Sequence, residues 1–172
     1  MTRPSPTEYA PYFEKYTSLV QGNNIIASLT NQIQNTRALL KGLSEDQGNF
    51  RYAPDKWSIK EVIGHLIDTE RIFAYRALRF ARHDQTHLSS FDENAFVTNS
   101  NYTSRHLAGI AEEFDVVRQN SVYLFKNLDQ DIWLRSGPVS DYQITVRALA
   151  YVIAGHELHH LNIIRSRYLN LD

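Results

Sequence analysis

The chain has 172 residues, 42% hydrophobic and 22% charged, a balance that excludes a disordered or fibrous chain and suits one domain, residues 1–172. Eighteen basic and nineteen acidic residues leave a formal net charge of −1, so nothing electrostatic points to nucleic acid or an anionic membrane surface. Cysteine is absent, which excludes disulfides, a thiol nucleophile and thiolate-bound zinc.

The first residues, Met1-Thr2-Arg3-Pro4-Ser5-Pro6, lack the apolar core of a secretory signal. No apolar run approaches the roughly 18–20 residues of a membrane span. A cytoplasmic protein with no membrane partner is expected. Glycine and proline are scarce and fall between periodic segments, so the pattern reads as helices joined by loops. A short first helix is expected over about Thr7–Val20, with Pro11 tolerated in its first turn. After the break at Gly22-Asn23-Asn24, a second helix runs over about Ile25–Lys41, where Ile25, Ile26, Leu29, Ile33, Thr36, Leu39 and Leu40 trace one face. Gly42 can close it. Asn49–Lys56 reads as a loop.

Ser58 precedes Glu61 by three residues, a capping box that opens a third helix over about Ile59–Arg82. The polar stretch His83–Asn101 is long for a plain connection and is expected to hold one short turn near Asp92–Val97. A fourth helix is expected from near Ser104 to near Leu128. Ser136-Gly137-Pro138 marks another loop, and the last helix should run over about Ile144–Leu169. With no strand period evident, the fold class is all-α: a four-helix bundle with an extra short N-terminal helix.

Seven histidines are present, and three of them fall within five residues. His156 and His160 are four apart on the last helix, so their rings share one face and can reach one ion. Leu149, Val152, Ile153 and Ile163 share that face, so both histidines point into an apolar stripe. His159 is turned aside and is the poorer ligand. On the third helix, His65 stands in a similar core-directed stripe with Val62, Thr69 and Ile72. A lone inward histidine is more often a satisfied core residue than a ligand. Three buried rings without partners are costly, however, and one shared ion satisfies all of them. Three nitrogen donors suit Zn²⁺, Ni²⁺ or Fe²⁺ better than Mg²⁺ or Ca²⁺. They also leave a position for water or substrate. The nucleophile would then be a metal-bound water or thiolate.

His156-Glu157-Leu158-His159-His160 also spells H-E-x-x-H, the metalloprotease pattern. One protease class needs a downstream acidic ligand, and only twelve residues remain. The other needs Gly and His where Ile163 and Ser166 stand. The protease reading is therefore set aside, and the helical wheel turns Glu157 away from the site.

The run Trp57-Ser58-Ile59-Lys60-Glu61-Val62-Ile63-Gly64-His65-Leu66-Ile67-Asp68 resembles the W-[ST]-x-x-[EQ]-x-x-x-H-[LIV]-x-[DE] signature of the DinB-like superfamily. His156-Glu157-Leu158-His159-His160 resembles the H-x-x-x-H of its last core helix. The resemblance covers nearly the whole chain, from Tyr9 to Tyr168. It implies an up-up-down-down type of bundle, often a homodimer. It also implies one divalent transition metal, usually nickel or zinc, on His65, His156 and His160. The chain is similar to the YfiT-type metal-dependent hydrolases. Some superfamily members are S-transferases for low-molecular-weight thiols such as bacillithiol, so the implied partner is a small-molecule substrate with or without such a thiol. No residue pattern marks a bacillithiol pocket here.

Glu61 and Asp68 flank His65 and are candidates to orient its ring, as are Thr69 and His159; solvent-facing charge, or an ion pair with Arg71, is the plainer reading of the two acids. Trp57 is expected to pack as a staple across the helix start. Asn99 and Tyr102, in the long polar stretch, are candidates for the site entrance. His83, His87 and His106 read as surface residues. Three functions remain open: a metalloenzyme (hydrolase or thiol S-transferase), a non-catalytic metal-binding or stress-related protein, and a structural dimer with a buried histidine network.

Overall fold

The computed structural model describes residues 2–171. In chain order the elements are α1 (Glu14–Thr17), α2 (Ile25–Lys41), α3 (Glu45–Asn49), α4 (Ile59–Ala81), α5 (Glu93–Thr98), α6 (Leu107–Lys126), β1 (Ser136–Val139), β2 (Tyr142–Thr145) and α7 (Val146–Ile163). The fold is a four-helix bundle of α2, α4, α6 and α7, with one small hairpin. Helix α4 packs on α6 and α7, and α2 packs on the same two. The bundle order is therefore α2–α6–α4–α7, and the consecutive helices α2 and α4 stand on a diagonal. No helix of the described residues is long and apolar enough to cross a membrane.

The long helices form where the periodicity and caps place them. The Ser58 backbone N–H donates to Glu61 Oε2 at 2.7 Å, and the Glu61 N–H donates to Ser58 Oγ at 3.3 Å, which starts α4. Asn24 caps α2 by accepting from the Ala27 N–H at 3.1 Å. Thr145 caps α7 by accepting from the Ala148 N–H at 3.1 Å.

Three expectations are corrected. The continuous first helix over Thr7–Val20 is instead two 3-10 turns, Pro6–Glu8 and Pro11–Phe13, followed by α1. Pro11 forces Ala10 out of the helical region, to ψ 143°, and so interrupts the run. Ser136–Thr145 is not a loop but an antiparallel hairpin, with Ser136 opposite Thr145 and Val139 opposite Tyr142. Its four-residue strands are too short to show a period, and Gly137 is there because the Phe80 ring fills the place of a Cβ. The last helix begins at Val146 rather than Ile144 because Thr145 is its cap. It ends at Ile163 and runs into one wide π-helical turn, Ile164–Tyr168.

The core has two apolar halves. One holds Phe73, Phe80, Leu149, Val152 and Ile153 with the N-terminal Tyr9 and Phe13. The other holds Ile59, Ile63, Ile67, Phe114 and Leu161. A polar belt lies between them, and its centre is Arg118, only 1% exposed. Arg118 Nε and Nη2 donate to Glu70 at 2.8 and 2.9 Å, and Nη1 donates to Glu157 at 2.5 Å and to Gln32 at 3.2 Å. The Thr36 hydroxyl donates to the other Glu157 oxygen, and Gln32 Nε2 donates to the Ala154 carbonyl at 2.9 Å. This network ties α2, α4, α6 and α7 to one another, and it leaves buried charges with partners.

Candidate metal centre

The histidines lie in the same belt. On α7 the apolar residues before Gly155 join one core half and those after His160 the other, so the His156 and His160 rings emerge between the halves. His65 on α4 faces them. His65 Nε2 and His156 Nε2 are 3.1 Å apart, as are His160 Nε2 and His156 Nε2. One nitrogen from each of the three rings lies within 4.8 Å of the others. Thr69 Oγ1 is 3.4 Å from His65 Nδ1, on the far side of the ring from the cluster. A hydrogen bond there leaves the Nε2 lone pair free to face the other two rings.

All three rings are shielded from water. Burial holds His65 down at about 4. Burial, with the neighbouring His65, His159 and Lys15, holds His160 down at about 3. His156 is pushed well below the ordinary histidine value, first by burial and then by the other histidines. The rings are therefore neutral at neutral pH and present lone pairs rather than charge.

The donor set fits a transition-metal ion. An ion about 2.0–2.1 Å from each nitrogen, at the corners of a tetrahedron or an octahedron, separates them by about 2.9–3.4 Å. The two separations to His156, each 3.1 Å, fall in that range, and the His65 and His160 nitrogens lie within 4.8 Å of each other. Neutral imidazole nitrogens with no carboxylate beside them suit zinc, nickel or iron and not calcium or magnesium.

The cluster opens into a cavity of about 600 Å³, the size of a small-molecule site. Tyr12, Phe13 and Tyr16 from the N-terminal segment form one wall, and Trp57 and Phe73 from around α4 another. Phe91, Tyr142, Arg76 and Glu93 stand farther out. The Tyr16 ring meets His156 edge-on at 5.0 Å and His159 at 5.3 Å. The indole of Trp57 lies over His65 at 4.9 Å.

The remaining candidates are placed as follows. Thr69 touches His65. His159 lines the cavity beside His160 but stands outside the group of three. Glu61 does not orient His65: its carboxylate turns back to the helix start and pairs with Arg51 at 2.7 Å. Asp68 faces Tyr102, whose hydroxyl donates to it at 3.0 Å, and Arg71 at 3.6 Å. Tyr102 is buried against Gly64 and Asn99 is exposed with its amide donating to the Ala95 carbonyl, so neither lines the cavity. The long polar stretch reaches the cavity through Ser90, Phe91 and Glu93 instead. Trp57 stands before the cap of α4, but it forms cavity wall rather than only a staple. Glu157 is held by Arg118 and Thr36, away from the cluster. His83, His87 and His106 are exposed. The sequence carried no local sign of the walls from Tyr12, Phe13, Tyr16, Arg76 and Tyr142.

Among solved structures, the chain is similar to YfiT from Bacillus subtilis, described as a probable metal-dependent hydrolase with an unusual four-helix bundle topology. The TM-score is 0.76 at 15% identity, over 92% of this chain and 99% of that one. It is also similar to the DinB-like protein YjoA from Bacillus subtilis, with a TM-score of 0.63 at 18% identity, over 86% of this chain and 91% of that one. A comparison with curated proteins gives no match. The model of the DinB superfamily matches residues 28–164, which span α2 through α7. The chain belongs to the DinB superfamily.

Proposed function

We propose that the protein is a metal-dependent hydrolase of small molecules, with one divalent ion, zinc or nickel, held by His65, His156 and His160. The observation that carries this reading is the convergence of three neutral Nε2 atoms at the floor of an open cavity. The description of YfiT as a metal-dependent hydrolase supports the reaction class. A structural metal site would be closed by a fourth side chain, and no cysteine or carboxylate joins the three histidines among the described residues.

When bound, the ion supplies Lewis acidity toward a carbonyl or phosphoryl oxygen and makes water a stronger acid. The chain's own residues supply the rest. Thr69 sets the His65 ring. Trp57, Tyr16 and Phe73 exclude bulk water and present apolar surface to a substrate. Among the described residues no carboxylate base stands at the cluster, because Glu157 is committed to Arg118. A step that needs proton transfer therefore relies on water or on the substrate.

The test is turnover of a panel of chromogenic esters by zinc- or nickel-loaded protein, by chelator-treated protein and by the His156→Ala variant. Ester cleavage that falls at least about a hundredfold on chelation and in the variant is the expected result. Cleavage unaffected by both would refute the reading. Repeating the panel with a small thiol separates hydrolysis from S-transfer: products that carry the thiol would replace the hydrolase with a thiol S-transferase on the same histidines.

A further inference from the structure

Two arginines are buried in this protein, and they are treated in opposite ways. Arg118, 1% exposed, is neutralised by Glu70 and Glu157. Arg76, 4% exposed, has no such partner. Among the described residues it forms no ion pair, and its one hydrogen bond is from Nη2 to the Ser89 carbonyl at 2.8 Å. A guanidinium carries five N–H donors in a fork that matches a carboxylate, so most of its donor capacity is unused. Burial pulls Arg76 below the ordinary arginine value, with only Tyr142 opposing. None of the Arg76 nitrogens is both sealed from solvent and unpaired, so its free N–H groups can still be reached from the cavity, and a largely buried charge with no ion-pair partner is retained where something completes it.

Arg76 also lines the cavity that holds the histidines. Its Cζ lies 5.6 Å from the Phe73 ring centroid and 5.9 Å from that of Phe91. The Phe73 centroid in turn lies 6.4 Å from that of His156. One aromatic ring thus bridges the guanidinium and the histidine cluster. Glu93 is the one carboxylate on the cavity lining, and it lies beyond ion-pair distance of Arg76.

From this juxtaposition we infer that Arg76 is the anchor for the carboxylate of a small amphipathic substrate. The substrate's apolar body lies along Phe73 and Phe91, and its reacting group reaches the three histidines. Arg76 is the single arginine or lysine on the lining and shares its end of the cavity with the Glu93 carboxylate, so a monocarboxylate is favoured over a phosphate dianion there. The inference deepens the hydrolase reading of the same cavity and rests on it for the reacting end. The anion site itself stands on Arg76 alone.

The experiment measures calorimetric binding of 4-phenylbutyrate and of its uncharged amide to the full chain, both metal-stripped and zinc-loaded. The same titrations are run on Arg76→Gln and Arg76→Lys, and zinc binding is measured on each sample. The expected result, in stripped protein, is that the acid binds at least tenfold tighter than the amide. Arg76→Gln should lose that preference, and Arg76→Lys should retain part of it. The comparison of acid with amide on the unaltered chain needs no variant, so a variant that fails to fold does not blunt the test. Equal binding of acid and amide, or no binding of the acid to either form, would overturn the inference. So would acid binding that requires zinc and ignores Arg76→Gln, since the carboxylate would then sit on the ion. Phenyl phosphate binding tighter than the acid would overturn the assignment to a carboxylate. A chain that takes up no zinc yet discriminates acid from amide through Arg76 would remove the hydrolase reading and support this one.

Discussion

At the scale of single residues, two glycines hold the site together by having no side chain. Gly64 and Gly155 immediately precede His65 and His156. A Cβ on Gly155 would lie 2.0 Å from the Tyr16 carbonyl oxygen, and one on Gly64 would lie 2.2 Å from Cδ2 of the Tyr102 ring. The absent side chain at 155 lets the N-terminal segment reach α7 and lay Tyr16 across His156. Overpacking of this kind costs about 1–3 kcal/mol where neighbours can give. A tyrosine ring can turn, but a backbone carbonyl in a 3-10/α segment cannot. Gly155→Ala is therefore expected to destabilise the protein more than Gly64→Ala in urea unfolding. It should also raise the exposure of Tyr16. An equal or reversed order would show that the N-terminal segment yields easily. The buried network around Arg118 was not legible at this scale. The helical angle of Glu157 points it off the histidine face, but nothing local to Arg118 on α6 pairs it with acids on α4 and α7. Ion pairs between distant segments leave no periodic trace.

At the scale of elements, the N-terminal segment is the wall whose attachment is most exposed to conditions. Glu8 clamps it to the start of α7 by pairing with Arg147 and accepting from the Thr145 hydroxyl at 2.8 Å. Burial alone would raise the Glu8 carboxyl. The hydrogen bonds from Arg147, from the Ser5 backbone N–H and from Thr145 outweigh it and leave it below its ordinary value of 4.5. A carboxyl held lower in the folded state stabilises that state in full above 4.5, and the contribution is lost as pH falls through the depressed value. Glu8 is half-buried at the rim of the fold and still reached by solvent, so the gain is modest, about 0.5–1 kcal/mol. Glu8→Gln should thus melt a few degrees below the unaltered protein at pH 7, and the gap should close as pH falls from 4.5 through the depressed value. A gap that stays constant with pH would mean that the clamp acts by packing and not by charge. The long helices were readable because capping boxes and apolar faces are local: Ser58 and Glu61 opened α4 where expected, and α2 runs over Ile25–Lys41. The hairpin and the broken first helix were not, because four-residue strands carry no period and the restriction Pro11 imposes falls on Ala10, the residue before it.

At the scale of the molecule, a polar belt divides the bundle into two apolar halves, and both the charged network and the histidines occupy it. Placing polar groups at one level of four helices lets each be satisfied by a neighbour from another helix. The three histidines were legible in advance because His156 and His160 share a helical face and His65 stands in its own apolar stripe. The cavity above them was not, since its walls come from segments brought together only by the tertiary fold. The account's central claim is that the histidine cluster is one metal site, and the most direct test is the metal content of protein purified without an affinity tag. Mass spectrometry is run after loading with zinc or nickel and desalting, beside the His156→Ala variant. About one ion per chain, lost in the variant, is the predicted result. A chain that takes up neither metal, or a variant that retains it in full, would contradict the claim and leave the three rings as a buried hydrogen-bonded cluster.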